Sequence, residues 1–277
     1  MLPVLFSIGS FHLYSFSIFL IVAWIFWSFV FWRYLRSYAV TEERIFDIMF
    51  YVTITALVFA RLAFVATHIS LFSHGWLKVI TLWVQPGLSL YGGVVAGVLV
   101  SVVLAWQYKV RVAYVLDAIA LSYLWALLPG LTGALLDGSV VGTESGFPWA
   151  IRYVGYAGKR HPVELYAVIV VLALLLVLRI VSVKKMKLNL PEGILAMWCF
   201  SLYAPLFFGL EFFTERSVYW GNVSANQWVL IGILGQSLGA FYVRGGGKER
   251  LVSIGQKIRM TYDKFSERYF RRYPRPS

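Results

Sequence analysis

Seven long apolar stretches follow one another along the chain, at 13–32, 48–71, 88–106, 112–136, 163–178, 193–210 and 227–243. Four of them contain no Asp, Glu, Lys or Arg, and the others are interrupted only by Arg61, by Asp117 and by Glu164. The hydrocarbon core of a bilayer needs about 20 apolar residues per helix, and backbone polar groups inside it must be satisfied within the segment. The pattern therefore predicts an all-α, polytopic membrane protein with seven transmembrane helices. None of the stretches alternates apolar with polar residues, which excludes a transmembrane β-barrel. The composition agrees, with 60% hydrophobic and 14% charged residues, where a soluble domain carries about 25% charged. A single cysteine, Cys199, excludes a disulfide scaffold and a cysteine-based metal cluster. No metal site and no cofactor is implied.

The net charge of +12 reports orientation first, because Lys and Arg gather on the cytoplasmic side of membrane proteins. An odd number of spans puts the termini on opposite sides. With the amino terminus outside, Arg33, Arg36, Arg44, Lys109, Arg111, Lys184, Lys185 and Lys187 lie inside, joined by ten Lys and Arg in 244–277. The outer segments then carry only Lys78, Arg152, Lys159, Arg160 and Arg216. The expected topology is therefore N-terminus outside and C-terminus cytoplasmic. Residues 1–244 form the membrane domain, and 137–162 an extracytoplasmic loop. Residues 245–277 form a basic cytoplasmic tail, in which Ile254, Ile258, Tyr262, Phe265 and Tyr269 recur at helical spacing among Lys257, Arg259, Lys264 and Arg268. That pattern reads either as an amphipathic helix on an anionic membrane surface or as a solvated topology signal. Nucleic acid is not an expected partner, because attachment to the bundle makes lipid headgroups the nearer anion.

Ionisable side chains are costly inside a bilayer, so their depth is informative. In the expected topology Tyr14, Tyr91, Asp137, Arg160, His161, Glu164 and Glu211 all fall toward the outer ends of their helices, and Arg61 lies near the middle of the second. Asp117 and Arg179 fall at the opposite ends. Polar groups from several helices thus share the level of the outer leaflet, whereas a transporter concentrates them at the midplane on broken helices. Gly92, Gly93, Gly97, Gly130 and Gly133 permit close backbone approach, either for helix packing of the Gly93-x-x-x-Gly97 kind or for a lipid-side cleft. Pro129 inside the fourth stretch frees a carbonyl and suits a kink.

An ordered set of motifs runs through residues 1–244: Ile8-Gly-Ser-Phe-His-Leu-Tyr14, Ala60-Arg61-Leu62, Gly87-Leu-Ser-Leu-Tyr-Gly-Gly93, Asp117, Gly130-Leu-Thr-Gly-Ala-Leu-Leu-Asp-Gly-Ser139, Phe147-Pro-Trp-Ala150, Arg160-His-Pro-Val-Glu-Leu-Tyr166, Glu211-Phe-Phe213 and Gln227-Trp228. In this order they resemble the prolipoprotein diacylglyceryl transferases, seven-helix enzymes of the bacterial inner membrane. The family signature Gly-Arg-x-Gly-Asn-x-x-Asn-Gly-Glu falls on 130–139, where this chain has Leu131, Ala134, Asp137 and Ser139 in place of the arginine, the two asparagines and the glutamate. Tyr91 stands for the histidine of a His-Gly-Gly motif, and Glu164 for a glutamine. Phe207 and Thr214 stand for two arginines of the sixth helix.

The resemblance implies a reaction in which the cysteine thiol of a lipoprotein precursor takes the diacylglyceryl group of phosphatidylglycerol or a related anionic phospholipid. The thiol must lose its proton before it attacks, and the departing glycerol phosphate must have its charge stabilised. The resemblance gives His161, Arg160, Asp137, Glu211 and Tyr14 as the catalytic candidates. His161, Glu211 and Asp137 are the candidate bases, and imidazole as a residue type titrates nearest neutrality. Arg61, Tyr91, Gly92, Gly93, Gly130, Gly133 and Tyr166 are the lipid-binding candidates. Arg61 and Arg160 are the cations that could hold phosphate bidentately, although Arg61 could equally pair with Glu211 or Asp117, and Arg160 with Glu164. Losing a charge-stabilising donor costs roughly 3 kcal/mol, so the substituted signature implies a divergent transferase. The alternatives are a catalytically impaired paralogue that binds lipid or a membrane partner, and a small-molecule transporter.

Overall fold

The structure is a computed structural model and describes residues 2–8, 11–72, 75–81, 84–85, 87–215 and 218–244; the basic tail 245–277 lies outside the described residues. Among the described residues seven α-helices run in the order expected: α1 (Ser15–Arg36), α2 (Glu42–Thr67), α3 (Leu90–Gln107), α4 (Val112–Asp137), α5 (Val163–Leu188), α6 (Ile194–Glu211) and α7 (Ala225–Arg244). The first six are long and apolar enough to cross a membrane, and the chain is a multi-pass membrane protein. α7 differs in carrying Asn226, Gln227, Gln236 and three glycines among its apolar residues. Phe50, Leu99, Ile169 and Leu176 point outward and are exposed, as a lipid-facing surface requires.

Two short hairpins were not predicted by the apolar pattern. β1 (Val4–Ile8) pairs antiparallel with β2 (Phe11–Tyr14), so regular helix begins only at Ser15. β3 (Tyr219–Trp220) pairs with β4 (Val223–Ser224) ahead of α7. Both lie at the end of the bundle that also holds the 137–162 connection, called here the loop end; the opposite, basic end carries Arg33, Arg36 and Lys185.

α4 is the central element, packed along α1 and against α3, α5 and α6, while α2 packs on α3 and α7 on α6. Two large apolar clusters meet on it. One gathers Leu124, Leu127, Val171, Leu174 and Leu230; the other gathers Phe31, Leu35, Ile45, Ile48 and Val115. Small residues set the closest approaches. A methyl group added at Gly133 would come 2.4 Å from the Cβ of Phe19 on α1, and one at Gly92 2.3 Å from the Cβ of Ala63 on α2. Gly93 similarly faces the Ala56 carbonyl at 3.1 Å. These three glycines therefore serve helix packing, the first of the two readings open to them. α4 runs without interruption through Pro129.

Asp117 ties the basic end together. Fully buried, it accepts hydrogen bonds from Lys185 Nζ at 3.1 Å and Tyr34 at 3.2 Å. It also accepts from the backbone N–H groups of Gly193 and Ala196 at 3.0 and 2.9 Å. A carboxylate from α4 thus satisfies the orphan donors that open α6 and neutralises a lysine from α5, while Glu192 and Tyr38 complete the lysine's shell. Neither charge would be tolerable alone at that depth.

The glycine contacts make a paired prediction. Gly133→Ala should lower thermal stability of the detergent-purified protein by about 1–3 kcal/mol through overpacking. Gly130→Ala, whose added methyl would find its nearest neighbour, Ala23 Cβ, at 4.0 Å, should leave it unchanged or raise it by up to about 1 kcal/mol through helix propensity.

Candidate functional site

Chain crossing builds a platform at the loop end. The connection from α4 to α5 leaves through Gly138 in the left-handed region and is then stitched to the end of α6. Thr143 N–H donates to Phe213 O at 2.9 Å, and Glu215 N–H to Val141 O at 2.8 Å. Its return strand pairs Arg160 with Ile151, and His161 N–H donates to Thr143 O at 3.1 Å. Gly142 lies so close beneath His161 that a Cβ there would come 2.1 Å from the His161 carbonyl oxygen. Only glycine fits that crossing.

His161 and Arg160 emerge from adjacent positions of this platform and do different things. His161 is buried among the rings of Phe147, Tyr166 and Phe213, with centroids 5.2–6.0 Å away. Its Nδ1 lies 3.1 Å from the Tyr166 hydroxyl, which also accepts the indole N–H of Trp149 at 2.7 Å. The tautomer that donates Nδ1–H to the phenol oxygen leaves Nε2 with its lone pair, the form a general base needs. Phe147 and Trp149 are exposed and stack with centroids 5.0 Å apart, an aromatic face of the kind that sits at membrane–water interfaces.

Arg160 is buried and committed to the loop. Its Nη1 donates to Gly142 O at 3.0 Å and pairs with Glu215, Nη2 lies 3.7 Å from Glu144, and the guanidinium sits 4.8 Å over the Tyr156 ring. Glu164 does not pair with Arg160: Tyr153, buried in the loop, donates its hydroxyl to Glu164 Oε2 at 2.9 Å. Burial, reinforced by that carboxylate, pushes the Tyr153 phenol well above its ordinary range. Glu211, also buried, accepts from Asn226 at 2.8 Å and from Ser224 at 3.3 Å, fixing the second hairpin to the end of α6.

The other sequence candidates lie elsewhere at this end. Arg61 donates Nε to Val79 O at 2.7 Å, Nη2 to Lys78 O at 2.7 Å and Nη1 to Gly87 O at 2.9 Å. It therefore cradles the carbonyls of the connection between α2 and α3 rather than meeting Glu211 or Asp117, the two pairings considered from sequence. Tyr14 is exposed and Asp137 half-buried, both where residues 2–15 meet the end of α4 through Leu2 N–H to Leu136 O at 3.0 Å. Tyr91 is buried in the same cluster as Tyr203, whose hydroxyl lies 2.7 Å from that of Tyr123. Phe207 stacks on Tyr203 at 4.1 Å, and Leu131 packs against the same cluster. An interior of tyrosine and apolar side chains thus surrounds positions 91, 131 and 207.

The structure accordingly brings His161, Arg160 and Tyr166 together, with Glu211 on the adjoining chain end. Sequence spacing missed Trp149, Tyr153, Glu144 and Glu215, because their partners Tyr166, Glu164 and Arg160 are met through loop contacts that no local periodicity encodes. The Phe147-Pro-Trp149 motif was the one available signal.

The family model for prolipoprotein diacylglyceryl transferase matches residues 3–243. The chain is similar to the phosphatidylglycerol–prolipoprotein diacylglyceryl transferase of Geobacter sulfurreducens, with 30% identity over 190 residues, 67% of this chain and 71% of that protein. It is similar to the enzyme of the same name from Tropheryma whipplei, with 29% identity over 218 residues covering 74% and 79% of the two chains. The Wolbachia pipientis enzyme shares 26% over 254 residues, 84% and 92%.

Arg160→Ala should free the loop. Because a hydrogen bond to a charged group contributes about 1.5–3 kcal/mol, cleavage between residues 144 and 159 by an added soluble protease should accelerate roughly tenfold or more. Unchanged cleavage would show that the arginine does not hold the loop.

Proposed function

This chain belongs to the prolipoprotein diacylglyceryl transferase family, and we propose that it transfers diacylglyceryl from phosphatidylglycerol to the cysteine thiol of a lipoprotein precursor at the outer face of the bacterial inner membrane. Its relatives carry that activity in their names. The orientation with seven spans and the amino terminus outside is supported by the charge asymmetry: Arg33, Arg36, Lys109, Arg111, Lys184, Lys185 and Lys187 share one side with the tail. The loop end then faces the compartment into which a secreted precursor emerges.

The observation that carries the chemistry is the His161–Tyr166–Trp149 chain within an exposed aromatic face. In the reaction the thiol proton passes to His161 Nε2 and the sulfur attacks the glyceryl carbon that bears the phosphate. The S–C bond forms, the C–O bond to phosphate breaks, and glycerol phosphate departs with the bonding pair. Tyr166 orients the imidazole and favours the imidazolium that forms. Arg160 is the cation nearest to this histidine in sequence, and its partners Glu144 and Glu215 are themselves exposed, so an arriving phosphate can exchange with a carboxylate. Asp137, Glu211 and Tyr14 fill supporting roles at the same end, and Arg61, Tyr91 and Tyr166 form the lipid-side scaffold on helices that Gly92, Gly93 and Gly133 let approach closely. With Leu131 and Phe207 packed in an apolar cluster, fewer donors meet the departing charge, and turnover is slower than in relatives that keep the arginines.

The test is complementation of bacteria depleted of their own transferase, with the mass of a reporter lipoprotein as readout. The chain should restore the diacylglyceryl mass shift, and His161→Ala should reduce the modified fraction by a factor of about 100 or more, the weight of a general base. Normal membrane expression with no mass shift would contradict turnover and favour the second reading, a relative that holds lipid without transferring it. That reading is supported by the engagement of both Arg61 and Arg160 with protein groups.

A further inference from the structure

At the basic end, far along α5 from the platform, a cavity of about 260 Å³ opens between α5, the turn after it and α6. Val177, Ile180 and Val181 of α5, Leu190 and Trp198 line it, together with the stem of Lys184. Trp198 is held edge-on by Phe241 of α7, with centroids 5.6 Å apart, so the far wall is fixed. An apolar cavity offers water no hydrogen-bonding partners.

The one ionisable side chain in its lining is Lys184. Lys185 is buried and fully engaged with Asp117 and Glu192. Lys184, next to it in sequence, lines the cavity, is exposed, and among the described residues makes no ion pair. Lys187 stands one turn further along the same face of α5 and is exposed as well. An apolar slot walled partly by the stem of Lys184, with Lys187 exposed three residues further along the helix, matches an amphiphile with a hydrocarbon chain and an anionic head. Basic pockets between transmembrane helices take anionic lipid headgroups by this combination, and the lysine stem covers the upper part of the chain.

We propose that this groove binds an anionic phospholipid of the leaflet at the basic end, with one acyl chain between Val181 and Trp198 and the phosphate on Lys184. The site uses none of the platform residues, and its existence does not depend on the transfer reaction.

The test uses the full chain in nanodiscs of zwitterionic phosphatidylcholine doped with phosphatidylglycerol carrying a photoreactive diazirine in one acyl chain. Cross-linked peptides are located by mass spectrometry. The anionic probe should label residues 177–198 several-fold more than a phosphatidylcholine probe with the same acyl chain. Lys184→Gln, a change at an exposed position, should reduce that labelling about fivefold, the weight of one basic residue at an anionic surface. Val181→Trp should abolish it by filling the slot. Equal labelling by the two probes, or labelling indifferent to Lys184→Gln, would overturn the proposal and leave only ordinary annular lipid. Displacement by a free fatty acid but not by unlabelled phosphatidylglycerol would overturn it in favour of a carboxylate ligand.

Discussion

A charge inside a bilayer must be answered by the protein, because no water is at hand to do it. The arrangement of this bundle follows from how each buried charge is answered. Asp117 is met by a lysine, a tyrosine and two helix-opening amides, which fixes α1, α4, α5 and α6 at the basic end. Arg61 is met by three backbone carbonyls, which folds the connection between α2 and α3 back onto α2. Arg160 is met by a carbonyl and carboxylates of the loop end. Removing Lys185 would strand the buried Asp117 carboxylate at a cost of several kcal/mol, so α4 and α5 are held together at the basic end.

The loop end gains its chemistry from the same economy. Because Arg160 and Tyr153 secure the loop, His161 needs no structural duty of its own beyond its aromatic surround, and its ring is left to the Tyr166–Trp149 chain. In the interior below, the hydroxyls of Tyr123 and Tyr203 satisfy one another, and Phe207 and Leu131 close around them. The polar groups of the His161–Tyr166–Trp149 chain lie at the loop end. That is the region where a lipid headgroup and a precursor's thiol could both arrive.

How much of this was legible beforehand depended on the range of the interaction. The seven helices were readable because each rests on a long apolar run, a property local to the sequence, and six of them are long and apolar enough to cross a membrane. The boundaries moved outward where charged ends continue a helix: α5 reaches Leu188 and α1 reaches Arg36, each extended by basic residues that suit a helix C-terminus. The hairpins were missed because their pairing is set by two short strands carrying no strong alternation. In the candidate site, Arg160-His161 and Tyr166 were legible as one motif on one chain segment. Arg61 and Glu164 were correctly singled out as buried charges, but their partners were not, since Val79 O, Gly87 O and Tyr153 are chosen by three-dimensional proximity alone.

The central claim is that the His161 platform faces the side of the membrane on which a secreted thiol appears. Cys199 is fully buried, so the chain is close to a natural cysteine-free background for labelling. Gly146→Cys, at an exposed loop position with open space around its Cβ, and Lys187→Cys, exposed at the basic end, can be challenged in intact cells with a maleimide that cannot cross the inner membrane. The account predicts that only the Gly146→Cys protein reacts until the membrane is opened, after which both do. Reaction of Lys187→Cys alone in intact cells would turn the bundle over and contradict it.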